Sequence, residues 1–126
     1  MAVTHTDTFR NLVADLIGDT TDSGLLVFRI TGSTAAVPTT AVATLTLNAA
    51  AFPAASAGVL TAAAITSDTN AAGGTIAFAT IETSASAVKA HCSVAASGQD
   101  IDLTNGLVVT AGDTVSCSAL TYTAMV

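Results

Sequence analysis

The chain contains no tryptophan, one tyrosine, one glutamate and three basic residues. Each scarcity closes off a class of function. Arg10, Arg29 and Lys89 are the only cations, and the formal net charge is −6. Gripping a phosphate backbone takes clustered Lys and Arg, and an anionic bilayer surface attracts the same clusters. Neither nucleic acid nor a membrane is therefore expected as a partner. Sugar recognition draws on aromatic platforms, and Tyr122 offers little for stacking. A glycosidase needs two inward carboxylates, and Glu82 is the single glutamate.

Targeting signals are scarce as well. The start, Met1-Ala2-Val3-Thr4-His5-Thr6-Asp7, has neither a basic region nor an apolar run, so it does not read as a secretory signal. Ala49–Leu60 is apolar but short and broken by Pro53 and Gly58, well under the roughly 20 residues a spanning helix needs. The mean hydropathy of +0.67 reflects alanine rather than a membrane segment. The expectation is a chain made and used in a cytoplasm.

What the chain does have is small apolar residues. Hydrophobic types make up 51% and charged types only 10%, against a usual charged share of about 25%. At 126 residues one domain, 1–126, suffices, and it can hold a core without metal or disulfide staples. Small side chains contribute little burial each, about 0.8 kcal/mol per methylene. Such a domain gains from covering more surface against a neighbour.

Residues 1–18 read as an arm and one helix. Phe9, Leu12, Val13, Leu16 and Ile17 form an apolar stripe at i, i+3, i+4, i+7 and i+8. Thr6 or Asp7 caps its start, and Gly18 stands where a left-handed terminating residue is expected. So short a helix must lie against something. Residues 24–126 then read as strands. Leu25–Thr31, Ala41–Leu47, Val59–Thr66, Thr75–Thr83, Ala87–Ala95, Ile101–Leu103, Leu107–Val109 and Thr114–Thr123 are separated by turn-rich segments. Ala43, Leu45 and Leu47 are placed on one face of their strand. Val88, Ala90, Cys92 and Val94 point inward, with Lys89, His91 and Ser93 outward. Asn105-Gly106 signals a hairpin. The fold class is mainly β: an antiparallel β-sandwich or jelly-roll-like barrel with one short N-terminal amphipathic helix. No repeat of fixed period points to a solenoid.

The chemistry-bearing residues all have plainer readings. Cys92 and Cys117 lie on inward faces; a disulfide is open to them, but without a secretion signal free buried thiols are the favoured reading. Spaced 25 apart, the pair is no zinc motif. His5 and His91 read as solvated surface residues, with no ligands at metal spacing. Asp100-Ile101-Asp102 with Asn105-Gly106 superficially suggests a calcium loop but lacks its central glycine and closing Glu. Strand-edge carboxylates fit better. His91 and Cys92 alternate faces, so no triad assembles. No catalytic, cofactor or metal residue is assigned, and an enzyme is not expected.

Several segments carry a resemblance. They are Thr8-Phe9-Arg10-Asn11-Leu12, Ala43-Thr44-Leu45-Thr46-Leu47 with Phe52, Ala64-Ile65-Thr66-Ser67-Asp68, Asp100-Ile101-Asp102-Leu103-Thr104, Ala111-Gly112-Asp113-Thr114-Val115-Ser116 and Leu120-Thr121-Tyr122-Thr123. Together they resemble small structural proteins of tailed bacteriophages, several of which are head decoration (cement) proteins. The resemblance implies a virion subunit on the capsid surface, made in the host cytoplasm. It would bind the major capsid protein and associate with itself, a trimer being favoured. It implies no catalytic residue. A tail or fibre component attaching to the host surface is the alternative. The helix, expected mainly to cover an open end of the sandwich, and the arm Ala2–Asp7 are candidate contact elements. Gly32–Thr40 and Asn48–Gly58 are candidate loops reaching a neighbour.

Overall fold

The structure is a computed structural model and describes residues 3–30, 40–103 and 105–124. It is mainly β with one helix, its antiparallel-rich sheet curled into a half-barrel. Helix α1 spans Asp7–Thr20. The strands are β1 (Leu25–Arg29), β2 (Ala41–Thr46), β3 (Val59–Thr61), β4 (Gly74–Thr75), β5 (Phe78–Glu82), β6 (Val88–Ala95), β7 (Ile101–Asp102), β8 (Val108–Val109) and β9 (Thr121–Thr123). The main sheet runs β2-β1-β5-β6-β7, and β3-β9 and β4-β8 form two short ribbons.

Alternation explains the core. In β2, Ala43 and Leu45 are buried while Thr44 and Thr46 are exposed, and Leu47 continues the buried face. Leu26 and Phe28 of β1 and Ala79 and Ile81 of β5 line the same side, joined by Cys92 and Val94 of β6. At 25 cal/mol per Å² of apolar surface, or about 1.5–3 kcal/mol for each buried Leu, Ile or Phe, this layer carries the stability of the domain.

The other side of the sheet centre is also closed, and it is polar. All five residues of β5 are buried, including Thr80 and Glu82. Arg29 of β1 meets them: its Nη2 donates to Glu82 Oε2 at 2.6 Å and its Nε to Thr80 Oγ1 at 3.1 Å. The Thr80 hydroxyl in turn donates to Glu82 Oε2. Each buried charge is thus matched by the other and by a hydroxyl, as burial of ions requires.

Several expected strands are shorter or differently paired. Val59–Thr66 keeps strand geometry only over β3, and Thr75–Thr83 is divided between β4 and β5. The segment from Thr114 is strand only in β9. Asn105-Gly106 does not close a hairpin. Its flanks leave in different directions, β7 pairing parallel with β6 and β8 antiparallel with β4.

Candidate functional site

Helix α1 begins as its sequence dictates. Thr6 is the N-cap, its Oγ1 accepting from Phe9 N at 3.4 Å, and Asp7 occupies the first turn. The end is different. Gly18 lies inside the helix and is buried; the chain continues to Thr20, and the left-handed residue that follows is Ser23, at φ 53°. Gly18 packs beside the body with room for a methyl group, for a Cβ there would stand in ordinary contact at 3.4 Å from the Cβ of Phe52 and 3.5 Å from Leu60 Cδ1.

The side of α1 that faces the body is not its apolar stripe. Ala14 and Gly18 are buried against Phe52 and Leu60, and Thr21 beyond the last turn is fully buried. Flanking them, polar side chains grip the segment from Ala51 to Gly58. Asn11 Oδ1 accepts from Gly58 N at 2.7 Å and Asp15 Oδ1 from Ala55 N at 2.7 Å. Beyond the helix, Asp22 Oδ1 accepts from Ala51 N at 2.8 Å. These three carboxylate and amide groups satisfy loop N–H groups that no strand pairs, and that need sets the rotation of the helix about its axis. Of the two segments expected to reach a neighbour, Asn48–Gly58 is fastened to α1 with Ala51 and Phe52 buried and residues 48–50, 53, 54, 56 and 57 exposed, and residues 32–39 of Gly32–Thr40 lie outside the described residues.

With about 100° between successive residues, the stripe lies on nearly the opposite side of the helix from that face. Phe9 is 48% exposed, Leu12 64% and Leu16 65%, while Val13 and Ile17 at the stripe's edge are half-buried. Val3, 77% exposed, lies just upstream, and the His5 ring packs on Phe9 with centroids 5.1 Å apart. Exposed apolar area here is roughly 300 Å², the size at which a patch on a monomer is often functional. Leaving each of these side chains in water forgoes about 1.5–3 kcal/mol. The helix therefore covers part of the body with its polar flank and offers its apolar flank to something else.

A second feature is a cleft of about 580 Å³ between the segments 99–106 and 113–119, with Ile101, Leu103, Val115 and Cys117 among its walls. Its carboxylates serve the cleft's own backbone. Asp100 Oδ2 accepts from Ser93 N and Oγ, Asp102 Oδ1 from Gln99 N, and Asp113 Oδ2 from Thr110 N. Ile101 is buried, as the strand reading of Asp100-Ile101-Asp102 requires. Among the described residues no three His, Cys, Asp or Glu side chains come together as a metal site would need.

Cys92 and Cys117 are free thiols. Burial pushes the Cys92 thiol up to about 11, with the nearby Asp100 and Cys117 adding to the shift. Burial also raises Cys117, whose Sγ donates to Ala119 O at 3.3 Å, a bond that pulls the other way. Neither thiol is an activated nucleophile. His91 departs from its expected place in solvent. It is half-buried, stacks on Phe78 at 5.9 Å between centroids, and its Nδ1 is enclosed without a hydrogen-bond partner. Its strand face was assigned correctly as opposite to Cys92; Lys89 and Ser93 on that face are exposed, and only His91 between them is partly enclosed, against Phe78. Comparison with known proteins returns no matching family model, no matching curated protein and no matching solved structure.

Proposed function

We propose that the chain is a virion structural subunit, a capsid decoration protein that binds the outer surface of the major capsid protein lattice and stabilises the head. The observation that carries this reading is the outer face of α1: Phe9, Leu12 and Leu16 stand in water together along one side of the helix, whereas the other exposed large apolar side chains among the described residues, Val3, Ile30 and Val108, lie outside it. A subunit that acts by contact needs such a face, and it needs a rigid body behind it. The fastening of α1 to residues 51–58 by Asn11, Asp15 and Asp22 supplies that rigidity. Copies arranged about a symmetry axis, a trimer in the simplest case, multiply modest contacts into firm attachment. The scarcity of cations keeps the subunit off the packaged genome and leaves it free for a protein surface.

The test is reconstitution. Purified chain added to expanded heads that lack it is expected to bind in fixed stoichiometry and to raise the temperature at which the heads release their contents. Heads that remain bare at saturating chain concentration would remove the reading.

A further inference from the structure

We infer that Cys92 and Cys117 are a redox-modifiable pair: two thiols where the chain is made, joined as an intramolecular disulfide once a small-molecule disulfide of the oxidised glutathione class reaches the cleft beside them. The chemistry belongs to the chain alone. Only its setting, synthesis in a reducing cytoplasm followed by release into oxidising surroundings, rests on the reading of the chain as a virion subunit.

Placement is the first ground. Cys92 and Val94 are buried on the core side of β6. Val94 is in register with Ile101 of β7, and Asp100 Oδ2 accepts from Ser93 N and Oγ, so this wall of the cleft is pinned to β6 next to Cys92. Cys117 lines the same cleft and packs against the core cluster that holds Cys92, Ile101 and Val115. In keeping with that placement, a thiolate at Cys117 is felt at Cys92.

Access is the second ground. The cleft, about 580 Å³, has the size of a small-molecule site. Cys117 stands half-buried on its wall, whereas Cys92 is 8% exposed. An oxidant therefore meets Cys117 first, and Cys92 is shielded behind it.

Freedom to move is the third ground. Val115 is bridged to Asp68, and Leu120 O accepts from Ala62 N. Between them, among the described residues, 116–119 enter no backbone ladder. This short stretch can shift to bring the two Cα atoms within the roughly 4.4–6.8 Å a disulfide needs without breaking a sheet bond.

The exchange runs in two steps. Cys117 loses its proton to solvent, and its sulfur attacks one sulfur of the oxidant. A mixed disulfide forms, the old S–S bond breaks, and one glutathione thiolate leaves and is protonated. Cys92, deprotonated in turn, attacks Cys117 Sγ and expels the second glutathione thiolate, which also takes up a proton. Two protein thiols have given two electrons to one glutathione disulfide, now two thiols. Burial holds both thiols protonated at neutral pH, so closure is slow and the pair stays open in the cytoplasm. The product ties β6 to the segment 113–119 and restricts the unfolded chain.

The test incubates the folded, purified chain with millimolar oxidised glutathione at about pH 8. Acid quenching and intact-mass measurement follow. Wild type is expected to pass through a glutathione adduct and end lighter than the reduced chain by two hydrogen atoms. Its thermal midpoint should then stand several degrees higher, and dithiothreitol should reverse both changes. Cys92→Ala should stop at the adduct, and Cys117→Ser should stay unmodified. The wild-type mass change needs no substitution, so a variant that fails to fold does not obscure it. Wild type that remains reduced, stops at the adduct, forms linked dimers or closes only in urea overturns the inference and leaves the decoration reading standing. Failure of the chain to bind expanded heads removes that reading and leaves this chemistry in place.

Discussion

Cys92 and Arg29 occupy opposite sides of the same sheet, and each is held by its surroundings in the form that burial favours. Arg29 stays charged because Glu82 and Thr80 answer it within hydrogen-bonding distance. Cys92 has no cation beside it; Asp100 and Cys117 both oppose its thiolate, and the proton stays on up to about pH 11. The consequence for stability has a definite sign. An unfolded chain gives up the Cys92 proton near the ordinary value of 9.0, whereas the folded chain keeps it to about 11. Between those values the native state binds more protons, so unfolding becomes easier as pH rises. Urea denaturation at about pH 8 and about pH 10.5 should register a loss on the order of 1–3 kcal/mol, which a Cys92→Ala chain shows only in reduced part, through the raised Cys117 thiol. Alkylation by iodoacetamide, which attacks only the thiolate, should mark Cys117 before Cys92. Rapid labelling of Cys92 at neutral pH would contradict its burial.

At the scale of elements, the start of α1 and the strand faces were legible and the rotation of the helix was not. Thr6 and Asp7 announce the N-terminus by local hydrogen bonding and charge, so sequence alone places it. Val88, Cys92 and Val94 announce a strand face by period, and Cys92 and Val94 are indeed buried. An apolar stripe, however, says only that a helix prefers to cover that side. It does not say whether the cover comes from its own chain. Asn11, Asp15 and Asp22 read as ordinary surface polar residues until the unpaired N–H groups of Ala51, Ala55 and Gly58 are placed opposite them. The end of the helix was misplaced for a different reason: a glycine buried inside the helix beside Phe52 and Leu60 looks in sequence like a terminator. These two roles make opposite predictions for Gly18→Ala. In a helix interior with room for a methyl group at 3.4 Å, alanine should stabilise by about 0.5–1 kcal/mol. At a left-handed terminus it would destabilise. Gly24→Ala is the control, since a Cβ there would strike the backbone oxygens of Glu82 and Thr21, and a loss above about 2 kcal/mol is expected. Urea midpoints of the two single variants decide the matter.

Across the whole molecule the two ends of the chain depend on each other through a three-residue strand. β9 pairs with β3 in the register Val59↔Thr123, Leu60↔Tyr122 and Thr61↔Thr121. Two further bonds extend the ribbon, Ala62 N to Leu120 O and Ala124 N to Gly58 O, each at 2.8 Å. Leu120 and Ala124 are buried on either side of it, and Leu60, fully buried at its centre, lies under Gly18 of α1. The C-terminal residues thus hold the strand on which the N-terminal helix rests. A chain ending at Ala119 loses the Leu120 side chain and the backbone partners of β3 together. Its cost should be about 3–5 kcal/mol, the range for removing one large buried side chain along with its packing. More telling is where the damage is felt. With Leu60 no longer held, α1 loses its seat, so the truncated chain should show reduced helical ellipticity and weaker attachment to expanded heads, though every residue of α1 remains. A truncated chain that retained full helicity and wild-type head binding would separate the helix from the body, and the rigid presentation of Phe9, Leu12 and Leu16 would then need another source.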